Sequence, residues 1–277
     1  MRHDVNRRLL QGRVKVLLVG AGGTGSQVLS GLARLHTALV ALGHPGGLEV
    51  HCCDPDIVTI SNVGRQLFSP ADVGVNKATV LIHRLNAYYG LNWKAHPVLL
   101  NDIKLKTFDL VIGCVDTKQA RRDIHHFTTE IGAAYWLDMG NLQHDGQVVL
   151  GEPLKKNEKP GQRPMRLPTV TDLFPILLDE SIPESDDVPS CSLAEALEKQ
   201  DLFINQTIAT FGLQLLWTLF RNAGVDHSVF FVNLSTGLVV PMAVDKEAWK
   251  RFAPKKPTRI RKKAAADLQF VEMKEAA

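Results

Sequence analysis

From residue 14 the chain repeats one unit: a short apolar run ending in glycine or aspartate, then a longer stretch whose apolar residues recur at helical spacing. The runs VKVLLV (14–19), LEVHCCD (48–54), FDLVIGCVD (108–116) and AAYWLDMG (133–140), with WKAHPVLL (93–100) among them, predict strands of a buried parallel sheet. QVLSGLARLHTALVAL (27–42), NKATVLIHRLNAYY (76–89) and TKQARRDIHHFTTEI (117–131) predict helices, and GHPGG (43–47) punctuates them. Strand and helix alternating at this spacing require right-handed crossovers. The expected fold is α/β: a doubly wound, Rossmann-like, mostly parallel sheet with helices on both faces.

The pattern breaks after Gly151. Seven of the 14 prolines lie between Pro153 and Pro189, with little periodicity, which predicts a mobile crossover loop over 152–190. Order resumes in SLAEALEKQDLFINQTIATFGLQLLWTLF (192–220) as one or two helices, and SVFFVNLSTGLVVPMAV (228–244) predicts antiparallel C-terminal strands. No internal repeat is visible. The domain is expected to span 1–254, followed by a basic tail at 255–277 expected to be disordered.

Composition narrows the class. At 45% hydrophobic, the 277 residues exclude a disordered chain, and a chain this long needs no disulfide staples. The four cysteines (Cys52, Cys53, Cys114, Cys191) contain no CxxC pair. Residues 1–13 are polar and basic, unlike a signal peptide, and no apolar run reaches the roughly 18 residues of a membrane span. A cytoplasmic location with no membrane contact is expected. Net charge is +3, but KKPTRIRKK (255–263) holds six basic residues and no acid, so the body is mildly acidic. The tail predicts either a solvated terminus or contact with nucleic acid or an acidic partner.

Chemistry enters at the strand ends. Gly20, Gly22 and Gly25 form G-x-G-x-x-G between a strand and a helix. The first allows a tight turn, the second lets backbone approach a phosphate, and the third lets the helix pack on the strand. Free amides at the helix N-terminus favour an anion, so the loop predicts a nucleotide. The acid that would grip its ribose should end the second strand, where Asp54 stands with Asp56 just after. The interval from the loop exceeds the roughly 20 residues of the dinucleotide fingerprint; the long helix and the GHPGG turn account for it. A strand-end aspartate can also simply cap the next turn.

The stretch DPDIVTISNVGRQ (54–66), with GAGGTGS (20–26) before it and Lys77 after it, resembles the ThiF/MoeB/HesA superfamily, which includes the ubiquitin-activating enzymes. The resemblance covers 14 to about 150, and the helix near 201–220 more loosely. It implies that Gly20, Gly22, Gly23, Gly25 and Ser26 hold nucleotide phosphates and that Asp54, with Asp56 close behind, serves the ribose. Asn62 and Arg65 would contact the triphosphate, Gln66 would support that loop, and Lys77 would meet the phosphates as a point charge. Asp116, followed by Thr117 in GCVDT, would bind Mg²⁺, a hard cation suited to one carboxylate plus phosphate oxygens. Residue by residue, Lys77 also reads as a solvated helix-start lysine, and Arg65 as a surface ion pair with Asp54 or Asp56.

The activity implied is ATP-dependent adenylation of the C-terminal glycine of a small ubiquitin-like or sulfur-carrier protein. Arg7 and Arg8 are candidates for the arginine that family members donate across a homodimer. Cys191, before a predicted helix, is the candidate to receive the activated carboxyl as a thioester. Cys52, Cys53 and Cys114 lie in predicted strands as packing residues. Many bacterial members of the superfamily build a zinc site from two CxxC pairs; this chain has none, so the resemblance implies no structural zinc here. Overall character most resembles the ThiF-related proteins of bacterial PRTRC gene sets. The competing readings are an NAD-dependent oxidoreductase, an adenylating enzyme for a small-molecule or tRNA carboxylate, and a non-catalytic nucleotide-binding scaffold that docks a ubiquitin-like partner or DNA.

Overall fold

In the computed structural model, residues 1–181 and 197–252 are described. Cys191, the end of the crossover loop and the basic tail at 255–277 lie outside the described residues.

The chain starts with β1 (His3–Asp4) and a single helical turn, α1 (Arg8–Gln11), then enters β2 (Val14–Val19) and α2 (Gly23–Ala41). β3 (Leu48–Cys53) leads through 3-10 turns to α3 (Lys77–Tyr89) and β4 (Lys94–His96); β5 (Leu110–Gly113) leads to α4 (Lys118–Ile131). β6 (Tyr135–Asn141), β7 (Asp145–Gly151) and the short α5 (Val170–Leu173) follow. After α6 (Ile204–Arg221) come β8 (Gly224–Val225), β9 (His227–Asn233), β10 (Leu238–Ala243) and α7 (Lys246–Lys250).

Eight strands form one sheet in the order β10-β9-β7-β6-β5-β2-β3-β4. Every contact from β6 through β5, β2 and β3 to β4 is parallel. From β6 outward through β7 and β9 to β10 every contact is antiparallel. The Rossmann-like architecture with antiparallel C-terminal strands is therefore present. Two details depart from the sequence reading: the strand expected over 93–100 is an edge strand of three residues, and β7, unforeseen, turns back from β6. A separate pair, β1 with β8, ties the first residues to the end of α6.

The period-2 alternation of a strand decides which layer each side chain joins. Val14, Val16 and Leu18 of β2 pack with α2, α3 and α6 on one face. Leu17 and Val19 point to the other, with Ile124 and Phe127 of α4. All five are buried, each stabilising the fold by about 1.5–3 kcal/mol through area removed from water. No helix among the described residues is long and apolar enough to cross a membrane.

The stretch after β7 has no long element, but ion pairs hold its first part. Arg163 bonds Glu152 at 2.9 Å and Glu158 at 2.5 and 2.9 Å, while Arg166 grips both oxygens of Asp172.

Candidate nucleotide site

β5, β2 and β3 are neighbours in the sheet and run parallel, so the loops leaving their C-terminal ends emerge at one rim. These loops carry residues 20–22, 54–76 and 114–117. The topology thus gathers Gly20–Ser26, Asp54, Asp56, Asn62, Arg65, Gln66, Lys77, Asp116 and Thr117, at the place where open α/β sheets bind ligands.

The glycines do three different jobs. Gly20 has φ +91°, and a Cβ there would lie 2.5 Å from the Cys114 carbonyl oxygen. A Cβ on Gly25 would lie 1.9 Å from the Gly20 carbonyl oxygen, so this glycine serves helix packing. Gly22 is different: a Cβ on it would meet only Gln66 Nε2, at 4.0 Å. No atom of the described residues crowds a side chain there. Gly22 is also the N-cap of α2, with no side-chain cap bond, so the first-turn amides lack a capping acceptor. Ser26 is 1% exposed; its hydroxyl donates to the Gly23 carbonyl and accepts from Leu67 N–H, which shapes the loop.

Asp54 is buried and engaged: Oδ2 accepts from Ala21 N–H at 2.6 Å and Oδ1 from Asp56 N–H at 2.8 Å. It therefore caps the turn and braces the glycine loop, and lone pairs remain on both oxygens for a further donor. Burial pushes its pKa up, against those amides and the charge of Lys77. Asn76, which the sequence reading did not single out, caps α3 through Thr79 N–H and donates to the Asp54 and Asp56 carbonyls. It thereby sets Lys77, whose Nζ lies 2.9 Å from Asp56 Oδ2. Lys77 is not a solvated lysine: its side chain is 11% exposed and its partner's is 63%.

Asn62 closes a 3-10 turn by accepting from Thr59 N–H through its side chain. Arg65 forms no ion pair with Asp54 or Asp56. Its Nη1 donates to Gln200 Oε1 at 2.9 Å, and its Nε, like Gln66 Oε1, is buried without a hydrogen-bond partner among the described residues. Burial lowers the Arg65 pKa, and no carboxylate among the described residues offsets that desolvation.

Gln200 also accepts from Asn205, whose amide packs within 2.7 Å of where a Gly23 Cβ would sit and takes the Thr24 hydroxyl bond. Gln200 and Asn205 thus connect Arg65 to the glycine loop across the long crossover. Local sequence patterns carry no signal for such a link.

Asp116 is exposed, and its carboxylate makes no hydrogen bond or ion pair among the described residues; Thr117 caps α4 by accepting from Ala120 N–H. Among the described residues no group of three or more His, Cys, Asp or Glu could hold a metal ion. A single free carboxylate fits Mg²⁺ only where nucleotide oxygens and water complete its shell. Arg8 is anchored on its own chain, 3.1 Å from Asp109, and Arg7 is exposed. Cys52 and Cys53 are buried in β3; burial pushes the Cys53 thiol up to about 12 and Cys114, just past β5, upward as well. All three are poor nucleophiles.

Fold and site together define a Rossmann-like α/β protein whose cations and open amides gather at the rim of the parallel strands. The chain belongs to the ThiF family, whose model matches residues 3–258. It is 30% identical over 210 residues to the NEDD8-activating enzyme E1 catalytic subunit of Dictyostelium discoideum, covering 74% of this chain and 44% of that protein. To the sulfur carrier protein adenylyltransferase of Thermus thermophilus it is 30% identical over 211 residues, 74% of this chain and 69% of that one. The chain thus spans less than half of the E1 subunit. The fold is shared with MccB of E. coli in a crystal structure with ATP (TM-score 0.52, 16% identity, 83% of this chain and 63% of that chain).

Proposed function

We propose that this chain binds Mg–ATP at the sheet rim and adenylates the C-terminal glycine carboxylate of a small ubiquitin-like or sulfur-carrier protein. One observation carries the reading. Arg65, half-buried, with an unbonded Nε and no anion to pair with among the described residues, is joined through Gln200 and Asn205 to a glycine loop that is open at Gly22. A polyanion supplies what that arrangement lacks. The names of the relatives, an E1 subunit and a sulfur carrier protein adenylyltransferase, support the choice of reaction and of carrier.

The carboxylate oxygen of the carrier bonds to the α-phosphorus while the bond from that phosphorus to the bridging oxygen breaks, releasing pyrophosphate. The chain's work is positioning and charge neutralisation. The α2 amides and Gly22 hold phosphate oxygens, and Asp54 accepts from a ribose hydroxyl. Lys77 leaves Asp56 for the phosphates, and Arg65, with Asn62 beside it, neutralises charge on the departing pyrophosphate. Asp116, with Thr117 beside it, would hold Mg²⁺, which when bound shields the phosphate charge. Cys191 then takes the acyl group as a thioester, releasing AMP. A cytoplasmic protein of the bacterial PRTRC type, working as a homodimer, is the setting we infer.

ATP–pyrophosphate exchange tests the reading. Exchange should require a carrier ending in glycine, and Cys191→Ser should keep exchange while abolishing a thiol-labile carrier adduct. Exchange indifferent to every such carrier would overturn the protein substrate. Stabilisation by NADH and not by Mg–ATP would overturn the nucleotide.

A further inference from the structure

The loop carrying Asp116 is fastened from behind. Arg121, in the first turn of α4, folds back so that its Nη2 donates to the Val115 carbonyl at 2.7 Å and its Nη1 to the Asp116 carbonyl at 3.3 Å. Its Nε faces Asp138 of β6, 3.4 Å from each carboxylate oxygen. Arg121 is 8% and Asp138 1% exposed.

Two glycines make the room. A Cβ on Gly140 would lie 2.6 Å from Arg121 Nη2, and one on Gly113, opposite Asp138 in the sheet, 3.2 Å from Asp138 Oδ1. The pair is not comfortable: Asp138 Oδ1 has no hydrogen-bond donor among the described residues. A buried ion pair seldom stabilises a fold more than apolar groups of the same volume would. Its presence directly behind an exposed carboxylate that has no partner among the described residues points to a task other than stability.

We propose that Arg121, anchored by Asp138, is a positioning residue for Asp116: by holding two consecutive carbonyls it sets the backbone from which that carboxylate reaches the magnesium of a bound nucleotide. The inference rests on the reading of Asp116 as the metal-facing carboxylate. The planar fork is essential, because a lysine at this position could neutralise Asp138 but could not hold both carbonyls.

The test is calorimetric and needs no carrier. ATP binding to the full chain is measured in EDTA and across a magnesium titration, for wild type, Asp116→Asn, Arg121→Lys and the double variant Arg121→Met/Asp138→Leu. The double variant removes both charges and so keeps the fold if the lysine variant does not; circular dichroism checks both. Apparent magnesium affinity should fall roughly 10–100-fold in Arg121→Lys and in the double variant, as when a metal ligand loses its supporting partner. ATP affinity in EDTA should stay at the wild-type value. Wild-type magnesium affinity in a folded Arg121 variant, with Asp116→Asn impaired, overturns this inference and leaves the site reading intact. Wild-type magnesium affinity in Asp116→Asn overturns both. An equal loss in EDTA and in magnesium also overturns the inference, since the pair would then merely hold the crevice together.

Discussion

A pair of arginines after β7 and a single arginine at the sheet rim look alike in sequence and differ in what surrounds them. In the stretch after β7, Arg163 is bonded to Glu152, Glu158 and the Pro153 carbonyl, and Arg166 to both oxygens of Asp172 and the Glu152 carbonyl. Among the described residues, Arg65 at the sheet rim has one neutral partner and a buried, unbonded Nε. A guanidinium carries five donors, and charge-assisted bonds to carboxylates are the strong ones. The first group has its charge matched by carboxylates within the protein and works as a clasp. Arg65 is matched by no carboxylate among the described residues, and a half-buried cation left so is what a bound anion would finish.

The largest expected effect breaks or upholds that contrast at once. Arg65→Ala should reduce adenylation on the order of 10²-fold, by analogy with the loss of one oxyanion donor, and leave the urea midpoint unchanged or raised. A stability loss without a rate loss would put Arg65 with the clasp. Arg166→Ala should do the reverse: about 2 kcal/mol less stable, from bonds to a charged group, with adenylation unaltered.

Gly22 sharpens the same contrast with backbone. Since an added Cβ there meets only Gln66 Nε2 at 4.0 Å, Gly22→Ala should fold normally and bind ATP about tenfold more weakly, the equivalent of one lost bond to a charged group. Gly25→Ala should instead lower thermal stability, because its Cβ would fall on the Gly20 carbonyl oxygen.

The smallest effect is set by pH. Arg163 holds the Glu158 carboxyl at about 2, below its ordinary 4.5. A depressed carboxyl contributes stability that is complete above the unfolded value and lost as pH falls through the folded one. Wild type should therefore exceed Glu158→Gln by under about 1 kcal/mol above pH 4.5, since Arg163 is part exposed. That margin should close between pH 4.5 and 2 in urea unfolding curves. A margin independent of pH would remove the clasp from the contrast.

Apolar runs of period 2 and 3.6 were enough to lay out β2, β3, β5, β6 and the helices between them, because each element's pattern is local. Strand ends follow from the same pattern, so the glycine loop, Asp54, Asp56 and Asp116 could be assigned to one rim before any coordinates. Other features rested on partners far along the chain. Arg65 turned to Gln200 and not to the nearby aspartates; Lys77 was buried against Asp56 through Asn76; Arg121 was closed onto Asp138 in a space cleared by Gly113 and Gly140. Local composition encodes which residues can carry charge. Whether a charge is satisfied depends on burial and on which distant groups the packed sheet and helices bring within about 3 Å, and that is decided only when the chain has folded.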